Sequence, residues 1–175
     1  MREELEKLGA KIKKIKIKKI PTTFLSIIHK NFDEVTISRC IAFLLNPEYT
    51  TLKIIEQLLS ITQCEKDETD FLQLVNDYTT EFESIDIEDA VSSRSRLDII
   101  IRFSTFWIVI ENKINSYENN DQSLKYEEDI KKKTNLPIKY ICLKPKYNKC
   151  VMRNEKFCNV FYNQVVDILK TITKY

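Results

Sequence analysis

The residues of this chain most able to do chemistry are Asp98 and, after twelve intervening residues, the triplet Glu111-Asn112-Lys113. Carboxylate oxygens are the ligands that a hard cation such as Mg²⁺ takes in proteins, commonly with substrate phosphates completing the coordination. An ammonium group beside such a site can stabilise the charge that develops during attack on a phosphate. The three charged side chains would together suit metal-assisted hydrolysis of a phosphodiester.

The sequence around these residues predicts a β-hairpin. The runs 97–103 and 106–114 are rich in strand-forming residues, and the pair Ser104-Thr105 between them suits a turn. A symmetric turn there pairs residues whose numbers sum to 209, so Asp98 falls opposite Glu111. At about 5 Å and an effective dielectric of about 20, two carboxylates repel by roughly 3 kcal/mol. We therefore expect a bound divalent cation to neutralise them.

Alternation along the second strand decides which side chains share the site. Side chains of a strand point to opposite faces in turn, so Lys113 shares the face of Glu111 while Asn112 points away from it. The alternative to a metal site is a surface hairpin in which Lys113 forms an incidental ion pair with Glu111 or Asp98. Exposed pairs of that kind contribute only about 0–1 kcal/mol.

These residues also carry a resemblance to a known family. Asp98 followed by Glu111-Asn112-Lys113 resembles the D…ExK signature of the PD-(D/E)XK nuclease superfamily, whose fold is that of type II restriction enzymes. The following segment is similar to the pattern ENKI…E…QL..Y of one branch of that superfamily. The residues that match this pattern are Ile114, Glu118, Asp121-Gln122 and Tyr126.

A second segment, near the start of the chain, resembles the same branch. Glu34 to Ser38 and Ala42 to Pro47 are similar to its first-helix pattern E..hS..LawLLnP. Three positions depart from the branch: Ile37 replaces a frequent His, Thr50-Thr51 replace His-Gly, and Ser123 replaces Leu. Glu34 is thus a candidate site residue, although a glutamate in a first helical turn is also favoured by the helix dipole alone.

The resemblance implies a Mg²⁺-dependent nuclease, with Mn²⁺ as a substitute, acting on DNA, with RNA as an open alternative. A different hypothesis is a non-catalytic nucleic-acid-binding or assembly module on the same scaffold. The joint presence of the three charged residues favours the enzyme. The implied roles are metal binding by Asp98, Glu111 and the backbone carbonyl of Asn112, catalysis by Lys113 with Gln122 and Tyr126 in support, and binding of a second metal or its water by Glu34.

The amino-acid composition argues against several other classes of protein. The 175 residues suit one domain, and a single Gly leaves no room for the Gly-rich loops of Rossmann or P-loop proteins. The five cysteines are odd in number and lack CxxC spacing, so we expect reduced thiols in a cytoplasmic protein. No apolar run reaches the roughly 18 residues that cross a membrane, so no membrane partner is expected.

Residues 1–20 predict a basic helical extension to a single nuclease-like domain over residues 21–175. The extension interleaves lysines with isoleucines, which suits a solvated helix face, an arm that grips phosphate, or a membrane-surface helix. The net charge of the chain is only +2, so attraction to nucleic acid must come from local clusters. The candidate phosphate contacts are Lys13, Lys14, Lys16, Arg94 and Arg96.

A homodimer is compatible with cleavage of both strands of a duplex, but the sequence shows no recognisable dimer interface.

The pattern of elements predicts an α/β fold, with a mixed sheet flanked by helices and additional N- and C-terminal helices. It matches the αβββαβ core of the restriction-endonuclease-like proteins that the chain resembles. The hairpin is expected to have one almost wholly apolar face and one mixed face. The predicted helices are 34–45, 53–59, 122–133 and 163–173, and residues 119–121 are predicted to cap the third of them. The predicted strands are 78–89, 97–103, 106–114 and 138–143, with a turn over 90–95 after the first. Short edge strands are predicted at 150–151 and 159–162.

Overall fold

The fold is a five-stranded mixed β-sheet with helices on both faces, which confirms the predicted α/β class. The computed structural model describes residues 33–63, 67–92, 95–119 and 121–172. The predicted extension over residues 1–20 lies outside these ranges. In chain order the described elements are α1 (Glu34–Leu45), α2 (Leu52–Thr62), α3 (Phe71–Asn76), β1 (Phe82–Ser92), β2 (Ser95–Phe103), β3 (Trp107–Asn112), α4 (Gln122–Lys131), β4 (Ile138–Lys144), β5 (Phe157–Phe161) and α5 (Tyr162–Ile172).

The strands lie side by side in chain order, with β3 at the centre of the sheet. The first three are antiparallel, whereas β3, β4 and β5 are parallel to one another. Ile99 pairs with Ile110 and Ile101 with Ile108, so the predicted register, in which residue numbers sum to 209, is confirmed. Parallel neighbours require a crossover connection, and α4 supplies it between β3 and β4. The candidate residues therefore sit at the middle of the sheet.

One face of the sheet packs against α1, α2, α3 and α5. Alternate residues of β2 and β3 project into this layer and are fully buried. They meet apolar residues of the helices, which recur at helical spacing along α1 and α2. Members of this core include Ile99, Ile101, Ile108, Ile110, Leu45, Ile55 and Leu59.

The other face has the mixed composition that was predicted, with Asp98, Glu111 and Lys113 beside Ile100 and Val109, but it is also largely buried. Tyr126 and Ile130 of α4 cover it, together with residues of β4 and the segment before β5. Leu97 packs in this second core with Ile100 and Val109, rather than with Ile99 on the first face. A strand that is buried on both faces has a continuous apolar sequence, and Ile99-Ile100-Ile101 and Ile108-Val109-Ile110 are such sequences.

The first strand begins and ends later than predicted. It spans Phe82–Ser92 instead of 78–89, because Ala90 pairs with Arg96 and Ser92 with Ser95 on β2. Residues 90–92 and 95 of the predicted turn therefore belong to β1 and β2. The hairpin between β1 and β2 is thus extended by backbone pairing that local composition does not reveal.

Two further differences concern short elements. The six-residue helix α3 was not predicted, since one and a half turns are too short to show a helical period; Asp70 caps it by accepting from Gln73 N at 2.9 Å. Residues 150–151 do not form the predicted edge strand. The Cys150 N–H donates to the side chain of Asn148, and its carbonyl accepts from Lys144, so side chains replace a strand partner.

None of the helices in the described ranges has the length and apolar character needed to cross a bilayer.

Candidate active site

Asp98, Glu111 and Lys113 meet at the end of β2 and β3 that is distant from the hairpin turn. Lys113 Nζ lies 2.7 Å from Glu111 Oε1, and both side chains are buried. Asp98 Oδ2 accepts a hydrogen bond of 2.7 Å from the backbone N–H of Asn112, which places it beside Glu111. The Lys113 N–H donates to Leu143 O at 2.9 Å, so pairing with β4 fixes the backbone that carries the lysine.

The charges in this cluster are strongly coupled. Burial raises the pKa of Glu111, and the neighbouring Asp98 carboxylate raises it further, while Lys113 opposes both effects. Burial lowers the pKa of Lys113, but attraction to Glu111 and Asp98 outweighs it, so the net shift is upward. Lys113 therefore stays charged, and its ammonium group interacts with both carboxylates.

One carboxylate oxygen in the cluster is left without a partner. Glu111 Oε2 is buried and accepts no hydrogen bond from any residue that the structure describes. A buried polar atom in that condition costs free energy, because its interaction with water is not replaced. It is an oxygen donor suited to a cation.

The residues present fit a Mg²⁺ ion. Asp98, Glu111 and the backbone carbonyl of Asn112 offer three oxygen donors on adjoining strands. Within the described ranges no group of three or more His, Cys, Asp or Glu side chains could hold a metal. Mg²⁺ needs no such group, because it is usually held by one or two carboxylates with waters and substrate phosphates.

A chain of hydrogen bonds fixes the Lys113 ammonium group. Lys113 Nζ donates to Gln122 Oε1 at 2.9 Å, and Gln122 Nε2 donates to the hydroxyl of Tyr126. The Tyr126 hydroxyl in turn donates to the backbone carbonyl of Arg96 at 2.7 Å. Gln122 and Tyr126 lie four residues apart on α4, so both side chains face the sheet. The structure thus brings together both predicted α4 residues and Lys113.

The start of α4 is stabilised differently from the prediction. Asp121 adopts a left-handed backbone conformation with φ 58° and makes no capping hydrogen bond with its side chain. Glu118 takes that role, since its Oε1 accepts from Ser123 N at 2.9 Å and Ser123 Oγ at 2.5 Å. Ser123 is fully buried, whereas Leu124 is exposed. At Ser123, where the chain departs from the branch pattern, the side chain is therefore held by a polar contact with Glu118.

Asn112 points to the opposite face from Glu111, in agreement with the predicted alternation. Its Nδ2 donates to Glu34 O at 3.2 Å and to Ser38 Oγ at 3.0 Å, and its Oδ1 accepts from the Tyr162 hydroxyl. Only 1% of the residue is exposed. Asn112 therefore joins β3, α1 and α5 behind the site.

Replacing Asn112 by Ala should lower the free energy of unfolding by about 2–4 kcal/mol, because it leaves buried polar partners unsatisfied and opens a cavity. Urea denaturation measures the change. The matched variant is Asn119→Ala, whose exposed side chain should contribute within about 0.5 kcal/mol. Equal effects of the two variants would contradict the role of Asn112 as a buried junction.

Glu34 holds the segment that follows β3. It is the first residue of α1, and Asp33 caps the helix by accepting from Thr36 N at 2.8 Å. Glu34 Oε1 accepts from Ile114 N at 2.7 Å and from Ser116 Oγ at 2.8 Å. Because Oε1 already accepts these hydrogen bonds, the oxygen of Glu34 left to contact a metal-bound water is Oε2.

The remaining candidates are the basic residues predicted to contact phosphate. Arg96 is exposed on β2, and its backbone carbonyl accepts the hydrogen bond from the Tyr126 hydroxyl. Arg94, Lys13, Lys14 and Lys16 lie outside the described residues. Sequence reasoning missed Asn148 and Tyr162, which contact the site from distant parts of the chain and belong to no motif.

A model of the PD-(D/E)XK nuclease superfamily matches residues 22–175, a range that contains every strand and helix described above. No curated protein and no solved structure gives a significant match. The family match covers most of the sequence and includes the Asp98, Glu111 and Lys113 cluster. The chain therefore belongs to the PD-(D/E)XK nuclease superfamily.

Proposed function

We propose that this protein is a Mg²⁺-dependent nuclease that hydrolyses phosphodiester bonds in DNA. The observation that carries the proposal is the buried Oε2 atom of Glu111, which has no hydrogen-bond partner among the described residues. It lies on the same side chain that Lys113 contacts and next to the Asp98 carboxylate. A divalent cation would satisfy this oxygen and relieve the repulsion between the two acids.

In this proposal Asp98, Glu111 and the carbonyl of Asn112 hold the cation. When bound, Mg²⁺ supplies Lewis-acid activation of the scissile phosphate and acidifies a water molecule. Asp98 is kept in place by the Asn112 N–H, and Glu111 by its strand at the centre of the sheet. Both donors are therefore positioned before the ion arrives.

Lys113 has the role of stabilising negative charge on the reacting phosphate. Its ammonium group is held by Glu111 and Gln122, so it needs little rearrangement to donate a hydrogen bond there. Tyr126 orients Gln122 and thereby acts on Lys113 from a distance. We propose Gln122 and Tyr126 as positioning residues, and Glu34 as the residue that fixes the strand end beyond Lys113 and reaches a water of a second metal through its other oxygen.

The basic residues outside the site complete the proposal. Arg94, Arg96 and the lysines Lys13, Lys14 and Lys16 of the extension would contact backbone phosphates, which positions a nucleic acid without reading its sequence. The division into an extension over residues 1–20 and a nuclease-like domain over residues 21–175 stays a prediction. So does the homodimer.

Metal binding should strengthen as pH rises. The raised pKa of Glu111 means that a proton competes with the cation, so affinity should grow by up to about tenfold per pH unit until Glu111 is ionised. In the absence of metal, the folded chain binds this proton more tightly than the unfolded chain does. The stabilisation that comes from protonated Glu111 is therefore lost as pH rises. The rise in melting temperature caused by Mg²⁺ should accordingly be larger at about pH 8.5 than at about pH 6.

The matched variant for the pH dependence is Glu111→Gln, which cannot titrate. It should show no melting-temperature rise with Mg²⁺ at either pH. A Mg²⁺ effect that is equal at both pH values in the wild-type protein would contradict competition between the proton and the cation.

The proposed function is tested by incubating the protein with plasmid, linear duplex and single-stranded DNA, and with RNA, in Mg²⁺, in Mn²⁺ or in EDTA. Cleavage that requires the metal supports the nuclease. Absence of cleavage of all four substrates, together with retained binding, would support the non-catalytic binding module instead.

A further inference from the structure

The loop between β4 and β5 carries exposed basic and aromatic side chains next to the candidate site. Lys146, Tyr147 and Lys149 are all exposed, and Tyr147 is 60% exposed. Neither lysine forms an ion pair with any residue in the described ranges. The sequence from residue 144 to residue 154 contains no Asp or Glu. Lys144 in this stretch is buried and Arg153 pairs with Asp121, so Lys146 and Lys149 are the cations that the loop presents to a polyanion.

The loop is attached directly to the chain that leaves the site. Asn148 Nδ2 lies 3.1 Å from each of the carbonyl oxygens of Lys113, Ile114 and Ser116. The Tyr147 hydroxyl contacts Asn115 Oδ1 at 3.3 Å. The loop therefore packs against residues 113–116, the segment that begins with Lys113 of the candidate site.

The loop is also held in one conformation by its own hydrogen bonds. Asn148 N donates to Pro145 O at 3.0 Å, and Asn148 Oδ1 accepts from Cys150 N at 2.7 Å. Lys144 closes the loop by donating to the carbonyl of Cys150. A binding surface that is ordered before its ligand arrives loses less conformational entropy on association.

We infer that Lys146, Tyr147 and Lys149 bind the nucleic-acid strand beside the scissile phosphate, with the two lysines on phosphates and Tyr147 stacked on an unpaired base. This inference rests on the proposed nuclease function and specifies its substrate class: strands with unpaired nucleotides next to the cleavage position. An exposed aromatic ring between two cations is the combination that proteins use to bind single strands without sequence preference. A base inside a duplex offers no free face to such a ring.

The test is binding of fluorescent single-stranded and duplex DNA by the full-length protein in EDTA, measured by anisotropy over a range of salt concentrations. Tyr147→Ala should weaken binding of the single strand by about 5- to 140-fold and leave duplex binding nearly unchanged. Tyr147→Phe should retain the affinity, because the ring is kept. Lys146→Ala with Lys149→Ala should reduce the slope of log affinity against log salt by about 1.4 for the single strand.

Matched variants control for general effects on the surface. Tyr78 is 97% exposed and lies at the hairpin-turn end of the sheet, where the adjacent Thr79 contacts Ser104. Tyr78→Ala should leave single-strand affinity unchanged. Lys53→Ala with Lys170→Ala removes two exposed lysines from α2 and α5 and should leave the salt slope unchanged.

The outcomes separate this inference from the proposed function. Metal-dependent cleavage by the wild-type protein, with loop variants that bind like the wild type, would overturn the inference alone. Equal losses for Tyr147→Ala and Tyr78→Ala, or for single-stranded and duplex DNA, would also overturn it. A protein that neither binds nor cleaves any nucleic acid would overturn both.

Discussion

Replacing Glu111 by Gln is expected to lower the rate of Mg²⁺-dependent DNA cleavage by about 10³-fold or more. The variant keeps the size of the side chain but removes its charge and weakens Oε2 as a metal ligand. The ion is proposed to supply both the activation of water and the charge stabilisation, so its loss removes most of the catalysis. Single-turnover cleavage of the substrate that the wild-type protein cuts best measures the effect.

The matched control is Glu128→Gln, an exposed glutamate on α4, the helix that carries Gln122. Its cleavage rate should lie within about twofold of the wild type, because it contacts no group of the site. Retained melting behaviour of both variants shows that the fold persists. A Glu111→Gln rate within about threefold of the wild type would remove Glu111 from the proposed active site.

Replacing Lys113 by Met should lower the free energy of unfolding of the metal-free protein by about 3–5 kcal/mol at about pH 9, where Glu111 of the wild-type protein, with its pKa raised to about 8, is ionised. Glu111 would then be buried without its counter-charge, which is far more costly than loss of an exposed ion pair. Its pKa would rise further, so the protonated form would dominate. Because the cost comes from the charged form, the destabilisation should shrink as pH is lowered.

The double variant Glu111→Gln with Lys113→Met isolates the coupling between the two residues. It should recover much of the stability lost in Lys113→Met, since no uncompensated charge remains. Lys131→Met is the comparison variant. Its ammonium group pairs with Glu127, but its side chain is 60% exposed, so it should change stability by at most about 1 kcal/mol. Urea denaturation in EDTA at two pH values is measured for the wild type, both single variants, the double variant and Lys131→Met. A double variant that is destabilised as much as Lys113→Met would contradict the coupling.

Much of the site follows from short-range pattern. The strand runs on either side of Ser104-Thr105 fix the register, and the register places Asp98 beside Glu111. Alternation then assigns Lys113 and Asn112 to opposite faces. The spacing of Gln122 and Tyr126 on one helix likewise places both side chains toward the sheet. These steps each span few residues, so sequence alone suffices for them.

The remainder depends on contacts between distant parts of the chain. Glu34 Oε1 binds the backbone of Ile114, which lies 80 residues later, and Asn148 binds the carbonyl of Lys113 from 35 residues away. No local period or spacing encodes such pairs. The burial of both faces of β2 was missed for a related reason: an apolar run indicates burial but does not identify α4 as the element that covers it.

The contrast between Glu34 and Glu111 illustrates the same limit. Both were predicted site residues, but hydrogen bonds from Ile114 and Ser116 engage one oxygen of Glu34, whereas Glu111 Oε2 has no partner among the described residues. Residue type and position in the sequence patterns predict both glutamates as site residues. Only the surrounding donors decide which oxygen is available to a cation.

Calorimetric titration of Mn²⁺ into the wild-type protein, Asp98→Asn and Glu111→Gln measures binding of the cation without relying on cleavage. The wild-type protein should bind Mn²⁺, and each substitution should weaken binding by at least about tenfold while the fold persists. Wild-type binding that neither substitution changes would show that these two carboxylates do not hold the metal.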